Sequence, residues 1–164
     1  MILYYARNCI WLVAPILLMN VLLMKKLPKM YQTEIFSNGI PMWISIGENT
    51  FRVAIFALPL LMPLHIATFS QKIGLVVYLA GVILYFLSWA MQIMFPQSQW
   101  SMSRYGFMAP SFTPLLWLIG VAMVGNSLYI EIPYHPWVYI GLSIVFLIFH
   151  NLHSWRVYSL ARHG

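Results

Sequence analysis

An acid and a base lie four residues apart in the segment that begins at Gly47. Glu48 and Arg52 are separated by about one helical turn, so they share a helical face, with the acid on the favoured N-terminal side. Asn49 follows the acid and adds an amide group. Such a pair anchors a helix, with Arg52 reaching the lipid headgroups, or it contributes to a site for an anionic ligand. Both interpretations stay open.

Two histidines and an arginine form a second group near the C-terminus. His150 and His153 are three residues apart and share a helical face, as two metal or haem ligands on a helix do. The sequence around them contains no carboxylate or cysteine, so we predict no metal site and assign no cofactor. Arg156 follows three residues later and adds a positive charge. Contacts with lipid headgroups are the simpler interpretation, and contacts with a ligand are the alternative.

A third group lies in the segment 96–110, which mixes aromatic, hydroxyl and amide side chains. Arg104 is the only charged residue in this segment, and Tyr105 follows it. A segment this apolar does not extend freely into water, so we predict an ordered loop packed at the membrane interface. Long ordered loops often serve as lids or binding elements, although a plain interfacial loop is the simpler alternative.

The composition requires a membrane. Hydrophobic residues make up 62% of the 164 residues and charged residues 7%, whereas soluble domains contain about 25% charged residues. A soluble domain of this length cannot bury so much apolar surface in one core. The sequence therefore predicts an all-α integral membrane protein in which residues 1–164 form a single transmembrane helical bundle.

The charges limit the chemistry. The chain has three acids (Glu34, Glu48 and Glu131), no Asp, and nine Lys and Arg residues. Glycoside hydrolysis by paired carboxylates and magnesium-dependent phosphoryl transfer both need acids close together, so they are disfavoured. The net charge of +6 favours anionic membrane lipids as partners, and no nucleic acid. Cys9 is the only cysteine, so no intrachain disulfide forms.

About five segments are long and apolar enough to approach the roughly 20 residues that a transmembrane helix needs. They cover residues 8–24, 44–69, 73–95, 113–130 and 137–152. The predicted loop at 96–110 connects the third and fourth. Pro59 and Pro63 lie inside the second segment and should kink it. Thr113 followed by Pro114 predicts a helix start, with a hydroxyl cap and a proline at the first position.

The positive charges predict an orientation. Five spans place two basic residues, Arg7 and Lys72, on one side of the membrane. Seven lie on the other side, namely Lys25, Lys26, Lys29, Arg52, Arg104, Arg156 and Arg162. Because basic residues stay cytoplasmic, we expect a multi-pass protein of a cytoplasmic (inner) membrane, with the N-terminus outside and the C-terminus inside.

Small residues recur every seven positions around the third predicted span, at Ala67, Gly74, Gly81 and Ser88. Such a seam lets two helices approach closely, either within the bundle or between two membrane proteins.

Three functional hypotheses follow from the polar groups. In the first, the protein binds or transports a lipid-like or amphiphilic anion in a pocket on the cytoplasmic side. In the second, it is a membrane-embedded enzyme acting on a lipid or isoprenoid-type substrate, with Glu48 or His150 as acid or base. In the third, it is a structural subunit, with a second copy of the chain or another membrane protein as its partner. The predicted ligand-binding residues are Glu48, Asn49, Arg52, Arg104, Tyr105, His150, His153 and Arg156.

Overall fold

The computed structural model of the chain describes residues 7–23, 26–28, 31 and 39–163. Residues 161–163 are described by their backbone alone. Within these residues the chain is helical and contains no strand, apart from an isolated β-bridge between Asn8 and Pro63. The helices in the described part are α1 (Ile10–Leu23), α2 (Met42–Ala57), α3 (Phe69–Met94), α4 (Gln99–Met102), α5 (Arg104–Phe112), α6 (Pro114–Val124) and α7 (Pro136–His163).

Three stretches of helix are long and apolar enough to cross a membrane. They are Phe69–Met94, Arg104–Val124 and Pro136–Leu160. Their outward faces are apolar as well, since Val76 and Ile83 of α3 are 66% and 58% exposed and Ile148 of α7 is 53% exposed. Large exposed apolar surfaces of this kind indicate an integral membrane protein. The prediction of five spans is not confirmed, because α1 has 14 residues and α2 has 16.

The second predicted span ends earlier than expected. Instead of a kinked helix over 44–69, α2 ends at Ala57 and a 3-10 turn covers Leu58–Leu60. Pro59 lies in that turn and Pro63 follows it, and neither has a backbone N–H to continue the helix. The next helix, α3, then begins with a capping box formed by Thr68 and Gln71.

The segment 96–110 is helical, so the prediction of a loop is wrong there. It contains α4 and most of α5, and α5 joins α6 to form the candidate span Arg104–Val124. The side chain of Ser98 accepts a hydrogen bond at the start of α4, and that of Ser103 does so at the start of α5. Pro114 occupies the first turn of α6 as predicted, but the Thr113 hydroxyl donates to the carbonyl of Ala109 instead of capping the helix.

Long-range hydrogen bonds define two ends of the bundle. At the first, which we call the Arg7 end, Cys9 N donates to Met62 O at 2.9 Å and the Tyr129 hydroxyl donates to the carbonyl of Arg7. At the other, the Arg104 end, the Tyr31 hydroxyl donates to the carbonyl of Phe107 at 2.7 Å. Consecutive long helices therefore run in opposite directions. Lys25, Lys29, Glu34 and the Arg162 side chain lie outside the described residues.

Helices α3 and α6 pack with their backbones in close contact. A Cβ atom on Gly81 would lie 2.3 Å from the backbone nitrogen of Trp117, and one on Gly120 would lie 2.4 Å from that of Tyr78. Gly74, one heptad before Gly81, faces Met123 in the same way. The small-residue seam of α3 is thus occupied by α6 of the same chain, although Ala67 lies before the helix and is exposed.

Candidate functional site

A buried carboxylate is the centre of the most polar part of the bundle. Glu48 lies on α2, which packs against α7, and is 2% exposed. Its Oε1 accepts hydrogen bonds from Arg52 Nη2 and from His150 Nδ1, the latter at 2.9 Å. Its Oε2 accepts from His153 Nδ1 at 2.5 Å. We call these four residues the Glu48 cluster.

Helix geometry explains how the cluster forms. Arg52 lies one turn after Glu48 on α2, and the two histidines lie three residues apart on the facing side of α7. Gly47 allows the two helices to come close, because a Cβ atom there would lie 2.5 Å from the ring of Phe149. A carboxylate buried this deeply is tolerated only when donors surround it. Three side chains from two helices supply those donors.

The hydrogen bonds also determine the state of the imidazole rings. An ionised carboxylate has only acceptor lone pairs, so the Nδ1 atoms of His150 and His153 must carry the hydrogens. In the neutral ring of His150 this leaves Nε2 as an acceptor. Nothing among the described residues hydrogen-bonds to that Nε2, so it is available to a ligand.

A cavity of about 320 Å³ adjoins the cluster and is open to the surface. Its lining can be divided into two layers, because each of five helices contributes a pair of residues three or four positions apart. The layer nearer the Arg104 end consists of Asn20, Arg52, Trp89, Pro114 and His150. The deeper layer consists of Ile16, Phe56, Tyr85, Trp117 and Phe146. Leu17, Leu23 and Leu27 complete the lining.

The polarity of the cavity follows these layers. Arg52 and His150, the two lining residues that can carry positive charge, both lie in the layer nearer the Arg104 end. Glu48 is not among the lining residues, since it lies behind both of them. The cavity therefore presents hydrogen-bond donors at one level and mostly apolar and aromatic surface below it. This arrangement suits a molecule with an acceptor-rich head and an apolar tail.

The predicted site residues fall into two sets. The cluster brings Glu48, Arg52 and the two histidines together, and Asn49 Oδ1 accepts from Arg52 Nη1 at 3.0 Å. The other predicted residues, Arg104, Tyr105 and Arg156, are exposed and do not line the cavity.

Arg52 and Arg104 do not lie at the same site. Arg104 lies with its guanidinium 3.6 Å from the ring centroid of Trp155, a cation–π contact at the surface of α7. Arg52 faces the His150 side of α7 instead, and its side chain is 41% exposed. The positive charge of Arg52 is therefore partly balanced by Glu48, and no second arginine adds to it.

Sequence reasoning assigned Glu48 and the two histidines to one site but did not predict that they hydrogen-bond directly. Glu48 precedes His150 by 102 residues and His153 by 105, so no local spacing connects them. The aromatic lining, including Tyr85 and Trp117, was missed too, because aromatic residues are common in apolar helices without any ligand. The signal that could have found the pairing is the scarcity of acids, since a buried acid must find distant partners.

The arrangement of the two histidines is not that of a metal site. Within the described part of the chain, no group of three or more His, Cys, Asp or Glu side chains is placed to hold a metal ion. Both Nδ1 atoms point at the carboxylate itself, at hydrogen-bonding distances. The cluster has the geometry of an ion-paired acid.

Known proteins offer no relative. No family model matches the chain, and neither a curated protein nor a solved structure is significantly similar to it. What the protein does must therefore be inferred from the Glu48 cluster and the cavity beside it.

Proposed function

We propose that this protein binds an amphiphilic anion in the cavity beside the Glu48 cluster, as a lipid-binding or transport protein. The observation that carries the proposal is the layering of the cavity. The guanidinium of Arg52 presents donors to one level of it, beside His150, while Phe56 and Phe146, one turn deeper on the same two helices, present aromatic rings. A charged head and an apolar tail match these two levels.

The guanidinium of Arg52 is the principal contact for the head. It donates to Glu48 and Asn49 through two of its five N–H groups and retains others for a ligand. A planar guanidinium suits carboxylate and phosphate heads, because it forms two parallel hydrogen bonds with either. The tail extends from the open cavity along the apolar surface of the bundle.

We further propose five spans, with the Arg104 end in the cytoplasm. Among the described residues, the Arg104 end carries Lys26, Arg104 and Arg156, whereas the Arg7 end carries Arg7 and Lys72. This asymmetry supports the orientation. Helices α1 and α2 are the two additional spans in this proposal. The cavity then opens toward the cytoplasmic leaflet, where anionic lipids are concentrated.

Native mass spectrometry of protein extracted from its own membrane tests the proposal. We expect an anionic amphiphile to co-purify with the wild-type chain and to be lost on Arg52→Gln. Arg7→Gln is the matched control, since it removes the same charge from an exposed position at the opposite end. Retention of the same lipid by both variants, or its loss from both, would remove Arg52 as the head contact.

A specific observation favours a second function. The Glu48 carboxylate hydrogen-bonds to Nδ1 of His150 and leaves Nε2 available beside the cavity, which is the arrangement of a general base oriented by an acid. A membrane enzyme with His150 as base is therefore the alternative. Turnover of the co-purified lipid that disappears on Glu48→Gln, while the lipid still binds, would favour the enzyme.

A subunit role has less support. The glycine seam of α3, the surface on which a partner was expected, is already covered by α6. We therefore propose no partner at that seam.

A further inference from the structure

With both imidazole rings neutral, the Glu48 cluster carries no net charge. Glu48 contributes one negative charge and Arg52 one positive charge, and each ring holds a single hydrogen on Nδ1. An anionic head bound to the guanidinium would give the site an excess negative charge. Uncompensated charge is costly in apolar surroundings, so the occupied site needs one more positive charge than the empty one.

His150 is the residue placed to supply that charge. Its side chain lines the cavity and is 22% exposed, whereas that of His153 is 10% exposed and does not line the cavity. Because Nδ1 of His150 already donates to Glu48, an added proton goes to Nε2. The Phe146 ring stacks on the His150 ring with centroids 5.3 Å apart, and its centroid lies 6.0 Å from Cζ of Arg52. An aromatic face in these positions favours positive charge on both groups.

Without an anion, the same proton is unfavourable. Arg52 Nη2 and His150 Nδ1 donate to one oxygen, Oε1 of Glu48, so two cations would share a single carboxylate. Like charges this close disfavour each other, and the head of a bound anion removes the excess. Protonation of His150 and binding of the anion therefore favour each other, and this coupling acts equally in both directions.

The other titratable groups around His150 leave this balance unchanged. Tyr85 of α3 lines the cavity, and its uncharged hydroxyl donates to an amide oxygen of α1. Arg104 and Tyr105 of α5 and Arg156 of α7 are exposed and do not line the cavity. The sequences of α1 and α6 contain no ionisable residue.

We infer that the cavity binds its anion together with one proton, which His150 Nε2 takes from the solvent. This inference rests on the proposed function and adds a second ligand to it. A head with one negative charge and the proton together bring no net charge into the site, and the proton returns to the solvent when the anion leaves. Binding should therefore become tighter as the pH falls, until the ring is protonated without the anion.

Counting protons by isothermal titration calorimetry tests the inference. The probe is dioctanoyl phosphatidylglycerol, a phosphodiester whose single negative charge does not titrate near neutral pH. It is added to the full chain, freed of co-purified lipid, in a nonionic detergent at about pH 7.5, where an ordinary histidine is neutral. The slope of the apparent binding enthalpy against the ionisation enthalpy of the buffer gives the number of protons taken up. We expect about one proton per lipid, and an affinity that falls up to about tenfold for each further pH unit.

The variant that isolates the ring is His150→Gln, which keeps a donor for Glu48 but takes no charge. Its proton count should fall to zero, and its affinity should become independent of pH. His65→Gln is the matched control, since it removes an exposed histidine and should keep the wild-type count. Dioctanoyl phosphatidylcholine adds a positive charge to the same phosphodiester, so it should bind without proton uptake.

Binding of phosphatidylglycerol to the wild-type chain without proton uptake would overturn the inference alone and leave the proposed site standing. Uptake that persists in His150→Gln would assign the proton to another group and overturn it as well. Failure of the probe to bind, or binding that Arg52→Gln does not weaken, would count against the proposed function itself, and the inference would fall with it.

A measurement on the wild-type chain covers the case in which His150→Gln does not fold. With ¹⁵N-labelled histidine, NMR distinguishes a neutral ring from an imidazolium by the shifts of its two nitrogens, and contact with the Phe146 ring identifies His150. We expect phosphatidylglycerol, added at constant pH, to convert the His150 ring to an imidazolium and phosphatidylcholine to leave it neutral. A ring that stays neutral with phosphatidylglycerol bound would contradict the inference.

Discussion

Two helix pairs in this bundle are held together by opposite means. Helices α3 and α6 meet through glycines, with backbones so close that even a methyl group would clash. Helices α2 and α7 meet through a buried carboxylate and its three donors. Close apolar packing is the usual way for helices to associate in a membrane, whereas a buried ion cluster stabilises an interface poorly relative to apolar packing. Helices α3 and α6 therefore form a scaffold, and the α2–α7 interface carries its polar groups for a reason other than stability.

The largest effect is expected in the scaffold. Gly81→Val places a side chain against the backbone nitrogen of Trp117, which cannot move aside, so we expect a loss of about 3 kcal/mol or more in the free energy of unfolding. Unfolding in mixed detergent micelles measures it. Gly141→Val is the matched control, because a Cβ atom at that helical glycine would have nothing within 4 Å. Equal losses for the two variants would contradict the close-packing argument.

A smaller effect is expected at the cluster. Glu48→Gln keeps the shape but cannot accept hydrogen bonds from three donors, so we expect the free energy of unfolding to fall by about 1–3 kcal/mol. Glu131→Gln makes the same chemical change at an exposed position and should have almost no effect. If both variants unfold like the wild-type chain, the cluster does not hold α2 against α7.

Replacing the whole cluster separates its effect on stability from its effect on binding. A variant with leucine at Glu48, Arg52, His150 and His153 leaves no buried charge unpaired, so we expect its stability to return to or above that of the wild-type chain. It should nevertheless retain no anionic lipid in native mass spectrometry. Recovery of stability without recovery of binding would separate the functional role of the cluster from a structural one, whereas lipid retention by this variant would contradict the proposed site.

The smallest change in stability is expected for the variants that test the orientation. Single cysteines at Lys72 and Arg162 should change stability by less than about 0.5 kcal/mol, as surface substitutions usually do. Cys9 is fully buried, so it should not react with an impermeant thiol reagent. We expect labelling at position 72 from outside the cell and at position 162 only after permeabilisation. Labelling of both from the same side would rule out five spans.

The regular parts of the fold follow from local patterns, and the irregular parts do not. Long apolar runs predict α3, α6 and α7, because an apolar run of that length is typical of a helix that crosses a membrane. The helix α5 was missed because the mixed aromatic, hydroxyl and amide side chains of 96–110 were interpreted as a loop, and Pro110 in fact lies inside the helix. The early end of α2 was missed for the opposite reason, since Pro59 was expected to kink the helix and instead ends it.

The contacts of the Glu48 cluster were likewise predictable only where they are local in sequence. The pairing of Glu48 with Arg52 follows from their spacing on one helix, so the sequence predicts it. The pairing of Glu48 with His150 depends on how α2 and α7 pack, and no pattern within either helix contains that information. The grouping of Arg104 with this site has no such basis in helix spacing, because two cations at the same end of a bundle need not face the same gap. Arg104 lies against Trp155 instead.

The distance along the chain between Glu48 and its histidines has a consequence for biosynthesis. A ribosome adds roughly 5–20 residues per second, so the 102 residues that separate Glu48 from His150 take about 5–20 seconds to synthesise. During that interval α2 exists without α7, and Arg52 is the one member of the cluster already made. Arg52 is therefore the one cluster residue that can pair with Glu48 during this interval. The cluster is complete only after α7 has been synthesised.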